Sequence, residues 1–152
     1  MQKAARHTHK EFLKLDRNPK LSAIAASLTY VLDNKPGITR LKKGKGYFYL
    51  FAGKAINDNA RLDRIKCLAI PPSWTNVWIC PDDNGHIQAT GFDLNNRKQY
   101  RYHKKWNMMR SETKFHRFYE FEKSLPLLRS KIKRDMNGEG LTKSKVLPPL
   151  ST

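Results

Sequence analysis

A short basic and aromatic stretch, residues 93–106, carries the side chains of this sequence that are best suited to bind a ligand. It reads DLNNRKQYRYHKKW and combines five lysines and arginines with two tyrosines, one tryptophan and one glutamine. Cations neutralise phosphates, aromatic planes stack on sugars or unpaired bases, and a glutamine amide donates to and accepts from base edges. Because a solvated basic face needs no aromatic rings and a core strand needs no run of cations, the stretch predicts a surface that binds nucleic acid.

The alternation of a β-strand would divide this stretch between two faces. One face would carry Lys98, Tyr100 and Tyr102, and the other Arg97, Gln99 and Arg101. Neither face is apolar apart from its rings, which favours nucleic-acid contact over burial. The alternative is a solvated basic surface whose aromatic side chains turn into the core.

Two further segments, residues 40–51 and 110–133, mix cations with aromatic side chains. For the first, two interpretations stay open, because the YFYLF run at residues 47–51 is as consistent with a core strand as with a nucleic-acid surface. The second segment has the mixed three- and four-residue spacing of apolar side chains that is typical of a long amphipathic helix.

The net charge of the chain also indicates an anionic partner. Its 152 residues include 30 lysines and arginines against 13 acidic residues, which gives a net charge of +17 and a sequence pI of about 10.1. Such an excess repels itself in a compact state, so nucleic acid is the first candidate partner and an anionic membrane surface the second. No apolar run approaches the roughly 18 residues of a membrane span, and the N-terminus lacks the apolar segment of a signal peptide. We therefore expect no membrane insertion and a cytoplasmic location.

The residue types of the common catalytic and metal sites do not come together in this sequence. The two cysteines and the five histidines do not share zinc-ligand spacing, and two cysteines do not predict a disulfide framework. There is no glycine-rich phosphate loop, and Ser73, His86 and Asp93 are too scattered to imply a triad. We expect neither a metal ion nor any other cofactor.

The pattern of elements predicts an α+β fold. A small antiparallel β-sheet domain with short helices would be followed by the opening helices of an incomplete α-helical domain. Strands are predicted at residues 47–51, 77–79, 86–92 and 99–103, and helices at 57–68, from 104 onward, at 125–136 after Pro126, and at 141–147. The predicted organisation is a basic N-terminal extension (1–26), a β-rich domain (27–103), opening helices (104–147) and a tail (148–152).

Three strings of residues occur in order and resemble one family. They are PGITRLKKGKGYFYLF, RIKCLAIPPSWTNVWICPDDNGHIQATGFD and NRKQYRYHKKW. Over about residues 27–135 the chain resembles the N-terminal half of the bacterial, poxvirus-like type IB DNA topoisomerases. The resemblance implies a C-shaped clamp around duplex DNA, with a small β-rich domain opposite a larger helical catalytic domain. It also implies strand cleavage through a 3′-phosphotyrosyl link, relaxation of supercoils and religation, without ATP or a metal.

The resemblance assigns roles to residues of the opening stretch. By motif position, Gln99 and Tyr100 approach bases in the major groove, and Arg97 and Tyr102 contact phosphates. Arg110 is a further basic contact. Lys98 and Arg101 lie between these positions, and we include them in the predicted DNA-binding set.

The resemblance also implies that the catalytic residues of the family lie beyond this chain. The family's arginines, lysine, histidine or asparagine, and tyrosine nucleophile belong to the catalytic domain, and here KVLPPLST stands where a long helix should continue. We therefore expect a truncated protein that binds duplex DNA, is associated with the nucleoid and has no catalytic residue. The alternatives are a stand-alone DNA-binding protein and one part of a split topoisomerase, completed in trans by the missing catalytic domain.

Overall fold

The computed structural model describes residues 7–44 and 46–137 of the chain, which divides into two compact units, residues 1–113 and 114–152. The first unit contains a six-stranded antiparallel sheet, and the predicted α+β class is confirmed. Its strands are β1 (Ile38–Lys43), β2 (Gly46–Phe51), β3 (Lys54–Ala55), β4 (Thr75–Ile79), β5 (Ile87–Phe92) and β6 (Lys98–Tyr102). The helices are α1 (His9–Arg17), α2 (Pro19–Ala25), α3 (Asn59–Cys67) and α4 (Lys104–Asn137).

The strand order in the sheet is β3-β2-β1-β4-β5-β6, so β6 forms one edge. Four strands lie where the sequence predicts them, within one or two residues at each end. The sequence pattern does not predict β1, whose cations resemble a loop. In the structure β1 pairs with β2 from Thr39 opposite Leu50 to Lys43 opposite Gly46, as one hairpin.

One hydrophobic cluster joins α3 to the sheet. Ile65 of α3 packs with apolar side chains that alternate along three strands, namely Ile38, Val77, Ile79 and Ala89. The helix begins two residues inside the predicted range and ends one residue before its end. At its start the Asp58 side chain accepts a hydrogen bond from the backbone amide of Ala60 at 3.1 Å. This N-cap satisfies one of the amides that the first turn of a helix leaves unpaired.

The residues before the sheet form two short helices. Thr8 and Glu11 form a reciprocal capping box at the start of α1, and Asn18 caps α2. Phe12 and Leu15 of α1 are buried against Met109 of α4. The basic stretch at the N-terminus therefore forms two helices that meet at Asn18, and it contributes buried side chains to the first unit.

The part of α4 that lies in the second unit is mostly exposed. The predicted second helix after Pro126 is wrong, because α4 continues through the proline without a break. An interior proline costs about 3 kcal/mol of helix stability, and the glutamate, lysine, leucine and arginine residues around it are strong helix formers. Phe115 and Phe118 on this helix are 69% and 59% exposed. The predicted helix at 141–147 and the tail at 148–152 lie outside the described residues.

Candidate nucleic-acid interface

Most of the predicted DNA-binding residues lie on a single edge strand. Five of them form β6, and Arg97 directly precedes it. Strand β6 pairs only with β5, with Gln99 opposite Gly91 and Tyr100 opposite Thr90. An edge strand exposes one row of backbone groups together with side chains on both faces. The seventh predicted residue, Arg110, lies on α4 instead.

The two tyrosines of β6 form a stacked pair at the surface. Their ring centroids are 5.7 Å apart with an interplanar angle of 8°, and Tyr100 and Tyr102 are 42% and 40% exposed. The Lys98 ammonium lies 5.6 Å from the centroid of the Tyr100 ring. These three side chains share one face of the strand, as alternation predicts. The result is a planar apolar surface with a cation beside it.

On the other face, Asp93 binds two of the predicted contact residues at once. Its Oδ2 accepts hydrogen bonds from Arg97 Nε at 3.1 Å and from Gln99 Nε2 at 2.9 Å. Its Oδ1 accepts from the backbone amides of Asn95 and Arg97, both at 2.9 Å. These hydrogen bonds, that from the Arg97 amide first, lower the pKa of the Asp93 carboxyl below its ordinary value, so the carboxylate is ionised at neutral pH.

A second carboxylate holds Lys98. The Nζ of Lys98 lies 2.6 Å from Oδ2 of Asp33. Burial alone would raise the pKa of the Asp33 carboxyl, but hydrogen bonds from the side chains of Lys98 and Thr90 outweigh it and lower the pKa. The same hydrogen bond raises the pKa of Lys98, so both groups stay charged.

The two remaining predicted cations are engaged elsewhere in the protein. Arg101 Nη2 donates to the carbonyl of Ala69 at 2.9 Å, and its guanidinium lies 6.0 Å from the Trp74 ring centroid. Arg110 Nη1 donates to Oδ1 of Asp16 at 3.1 Å, which ties α4 to α1. Arg110 therefore lies on α4 and not on β6, but it is close enough to β6 for its charge to act on Tyr102, where it lowers the pKa that burial raises.

Arg40, in the basic segment at residues 40–51, has a structural role. It is 9% exposed, and its guanidinium donates to the carbonyls of Ile70, Pro71 and Trp74 at 2.6–3.4 Å. The guanidinium also lies 4.4 Å from the centroid of the Tyr47 ring. Arg40 therefore fixes the loop that supports Arg101 through Trp74.

The aromatic run of β2 is divided between the core and the surface. Tyr49 and Phe51 pack against the cluster under α3, whereas Tyr47 and Phe48 are 36% and 37% exposed. The core-strand interpretation of residues 47–51 therefore holds for Tyr49 and Phe51 and not for Tyr47 and Phe48.

Sequence reasoning missed the partners that hold the predicted residues in place. They are Asp16, Asp33, Asp93 and the ring of Trp74. Asp93 did leave a local signal, because an aspartate two to four residues before backbone amides of a polar turn is typical of an Asx-type turn. Asp16 and Asp33 are far from their partners in sequence and left none.

His86 connects the sheet with the segment before it and with α4. Its ring is buried, stacks on Tyr30 at a centroid distance of 4.5 Å and meets Trp106 edge-on at 4.6 Å. Nδ1 accepts a hydrogen bond from the backbone amide of Val31 at 3.1 Å, which requires that nitrogen to be unprotonated. Burial lowers the pKa of His86 below its ordinary value.

We expect the free energy of unfolding to fall as the pH is lowered through about 6.5, because His86 is protonated there in the unfolded chain but stays neutral in the folded protein. The slope for one such group reaches at most about 1.4 kcal/mol per pH unit. Urea unfolding between pH 7.5 and 5 measures it. His86→Gln should reduce this slope. His103→Gln should also reduce the slope, because burial lowers the pKa of His103 as well, and comparison of the two variants divides the slope between the two histidines. An unchanged slope in His86→Gln would contradict the assignment to His86.

Among residues 7–44 and 46–137, no group of three or more histidine, cysteine or acidic side chains could hold a metal ion. Over the same residues, no helix combines the length and the apolar composition needed to cross a membrane.

Comparison with known proteins defines the class to which the sheet belongs. Residues 46–93, from the start of β2 to the residue after β5, match the family model described as bacterial DNA topoisomerase IB, N-terminal domain. These residues are similar to that family, and the resemblance to type IB topoisomerases indicated by the motifs is confirmed. The match ends at Asp93, directly before the turn that leads into β6.

A curated relative extends the similarity beyond the family match. The chain is 41% identical over 112 residues to DNA topoisomerase 1B of Acanthamoeba polyphaga mimivirus. The aligned region is 73% of this chain and 33% of the viral protein, so the chain spans about a third of the length of this relative.

Proposed function

We propose that this protein binds duplex DNA through β6, as the N-terminal DNA-gripping part of a type IB topoisomerase. The observation that carries the proposal is the concentration of cations, stacked tyrosines and one held glutamine on a single edge strand. Similarity to the family supports DNA as the partner, because the relative is named a DNA topoisomerase. The net charge of +17 supports a polyanionic partner of some kind.

The shape of the edge strand supports a duplex over a single strand. The major groove is about 12 Å wide and admits a two-stranded β-ribbon, so β6 together with its neighbour β5 can enter it edge first. In this arrangement Gln99 and Tyr100 reach base edges, while Arg97 and Tyr102 reach the flanking backbones. Lys98 and Arg101 add charge to the same surface.

The internal ion pairs of the interface do not prevent phosphate contact. The Arg97 side chain is 69% exposed, and exposed pairs of this kind contribute only about 0–1 kcal/mol. A phosphate offers a second acceptor without breaking the contact at Nε, because the planar guanidinium has further donors on its terminal nitrogens. Arg97 can therefore contact DNA while Asp93 still holds it.

We expect duplex affinity to fall steeply with salt, because several phosphates are neutralised together. The slope of log K against log salt concentration measures the number of such contacts. Arg97→Ala should reduce the slope by about one unit, the value expected for one phosphate contact. Fluorescence anisotropy of a labelled duplex between about 50 and 300 mM salt measures the slope for the unmodified protein and for Arg97→Ala.

The matched control is Arg61→Ala, which removes the same charge from the exposed surface of α3. Arg61 also pairs with a carboxylate, Asp58, at 3.6 Å. If only general charge matters, both variants lower the slope equally, and the assignment of Arg97 to a phosphate is wrong. Absence of any salt-dependent duplex binding by the unmodified chain would reject the proposed function.

We also propose that the chain by itself binds without relaxing supercoils. In the family, the resemblance assigns cleavage to residues of the catalytic domain, and the aligned region here covers a third of the relative. A stand-alone DNA-binding protein and one part of a split enzyme are the alternatives, and both share the proposed interface.

A further inference from the structure

We infer that Asp93 is a positioning residue of the interface, which orients the amide of Gln99 and so decides which base edge that amide can recognise. The inference rests on the proposed function, because it concerns how β6 reads a duplex. Asp93 does not itself need to touch DNA. Its role follows from the two hydrogen bonds that its Oδ2 accepts.

The position of Asp93 is fixed by the backbone of its own turn. The Asp93 amide donates to the carbonyl of Arg97 at 3.0 Å, and the Asn96 amide donates to the carbonyl of Asp93 at 3.0 Å. Oδ1 is occupied by the amides of Asn95 and Arg97. The carboxylate is therefore locked in place, and Oδ2 is the oxygen that holds the side chains of β6.

The chemistry of a carboxylate imposes one orientation on the glutamine amide. An ionised carboxylate only accepts hydrogen bonds, so Gln99 must turn its Nε2 towards Asp93, where the distance is 2.9 Å. The reversed amide would place Oε1 against Oδ2, and two acceptors repel each other. Oε1 is thus kept away from Asp93, and the order of acceptor and donor that Gln99 presents is set before any duplex is bound.

A fixed order of acceptor and donor is what base recognition requires. A glutamine amide binds adenine bidentately, accepting from N6 and donating to N7, and a flipped amide would present the opposite pattern. Without Asp93, Gln99 could rotate and satisfy more than one base edge. Asp93 therefore contributes selectivity. As a negative charge close to phosphates, it lowers affinity for DNA in general.

Asp93→Asn separates this role from the structural role of the turn. The asparagine Oδ1 can still accept from the amides of the turn, but its NH2 group cannot accept from Gln99 Nε2 or Arg97 Nε. A change in the turn alone would weaken binding to all duplexes alike. Loss of charge alone would strengthen binding to all duplexes alike. Loss of positioning weakens binding to the preferred duplex relative to others.

The experiment uses the full chain. A preferred duplex is first selected from a randomised pool with the unmodified protein, and affinities are measured for it and for a scrambled duplex. We expect Asp93→Asn to reduce the ratio of these affinities by at least about fivefold, the lower end for one bidentate base contact. Affinity for the scrambled duplex should rise. Adding Asp93→Asn to Gln99→Ala should reduce the ratio no further, because the two residues act as one unit.

One control variant and one further measurement complete the test. Asp63→Asn removes the same charge from the exposed surface of α3, where Asp63 pairs with Lys66, and should leave the ratio unchanged. If Asp93→Asn does not fold, NMR of the unmodified protein decides. One Nε2 proton of Gln99 should shift downfield at neutral pH and lose that shift when acid protonates Asp93. An unshifted proton would overturn the inference.

The outcomes separate this inference from the proposed function. An unchanged affinity ratio in Asp93→Asn, or duplex binding by the unmodified chain without any sequence preference, overturns the role of Asp93 and leaves duplex binding intact. Failure of the unmodified chain to bind any duplex rejects the proposed function, and the inference with it.

Discussion

Replacing Arg40 with alanine is expected to lower the free energy of unfolding by about 2–4 kcal/mol. The guanidinium donates hydrogen bonds to three backbone carbonyls, those of Ile70, Pro71 and Trp74. Hydrogen bonds that involve a charged group contribute about 1.5–3 kcal/mol each, and water recovers part of this at a half-buried loop. The substitution also removes the packing of Arg40 on the Tyr47 ring. Urea unfolding followed by tryptophan fluorescence measures the change.

Two variants test whether the shape of Arg40 matters beyond its charge. Arg40→Lys keeps the charge but lacks the planar fork, so it should recover less than half of the lost stability. Lys42→Ala, two residues further along β1 at an exposed position, should change the stability by less than about 0.5 kcal/mol. A loss below about 1 kcal/mol in Arg40→Ala would show that water replaces the guanidinium almost completely.

The second large effect concerns supercoil relaxation. The purified chain is expected to leave a supercoiled plasmid unrelaxed, even at protein concentrations that saturate the plasmid. A tyrosine that attacks a phosphodiester needs a lowered pKa or an adjacent base, with cations around the phosphate. All six tyrosines of the chain lie within the described residues. Burial opposes this chemistry at two of them, Tyr49 and Tyr102.

Burial raises the pKa of Tyr49 and of Tyr102, which disfavours the phenolate that would attack. The Tyr47 hydroxyl donates to the carbonyl of Pro72 at 3.1 Å, and the Tyr30 ring stacks on buried His86. The remaining two are Tyr100, stacked on Tyr102, and Tyr119, whose ring lies 4.3 Å from the Lys123 ammonium. These are stacking, hydrogen-bonding and cation–ring contacts.

A full-length type IB topoisomerase serves as the positive control, and gel electrophoresis of the plasmid is the measurement. Relaxation by the purified chain that a tyrosine-to-phenylalanine substitution abolishes would contradict the proposal. Relaxation only after a separate catalytic polypeptide is added would favour the split-enzyme alternative. A gel shift without relaxation in either mixture would favour a stand-alone DNA-binding protein.

Local sequence pattern is sufficient to predict much of this fold. The aromatic and β-branched content of the strands, the polar turns between them and the capping residues before α3 act within a few residues of one another. Their effect can therefore be predicted before the chain is folded. Strands β1 and β3, helix α1 and the continuity of α4 through Pro126 were not predicted. Sheet pairing outweighed the local signals at β1, and helix propagation did so at Pro126.

The composition of the interface was also predictable, since its cations, tyrosines and glutamine are contiguous in the chain. Alternation along β6 was enough to place Lys98, Tyr100 and Tyr102 on one face. Charge and stacking chemistry belong to the residue types themselves, so a cluster in sequence remains a cluster in space.

Only the tertiary structure decided which of these side chains are held, and by which partner. Asp33 meets Lys98 across 65 residues, and Asp16 meets Arg110 across 94. Arg40 resembles a DNA-binding cation in sequence, but the fold places it under the loop that contains Trp74. Such contacts depend on the path of the whole chain. The role of a charged side chain can therefore be assigned only when its burial and its partner are known.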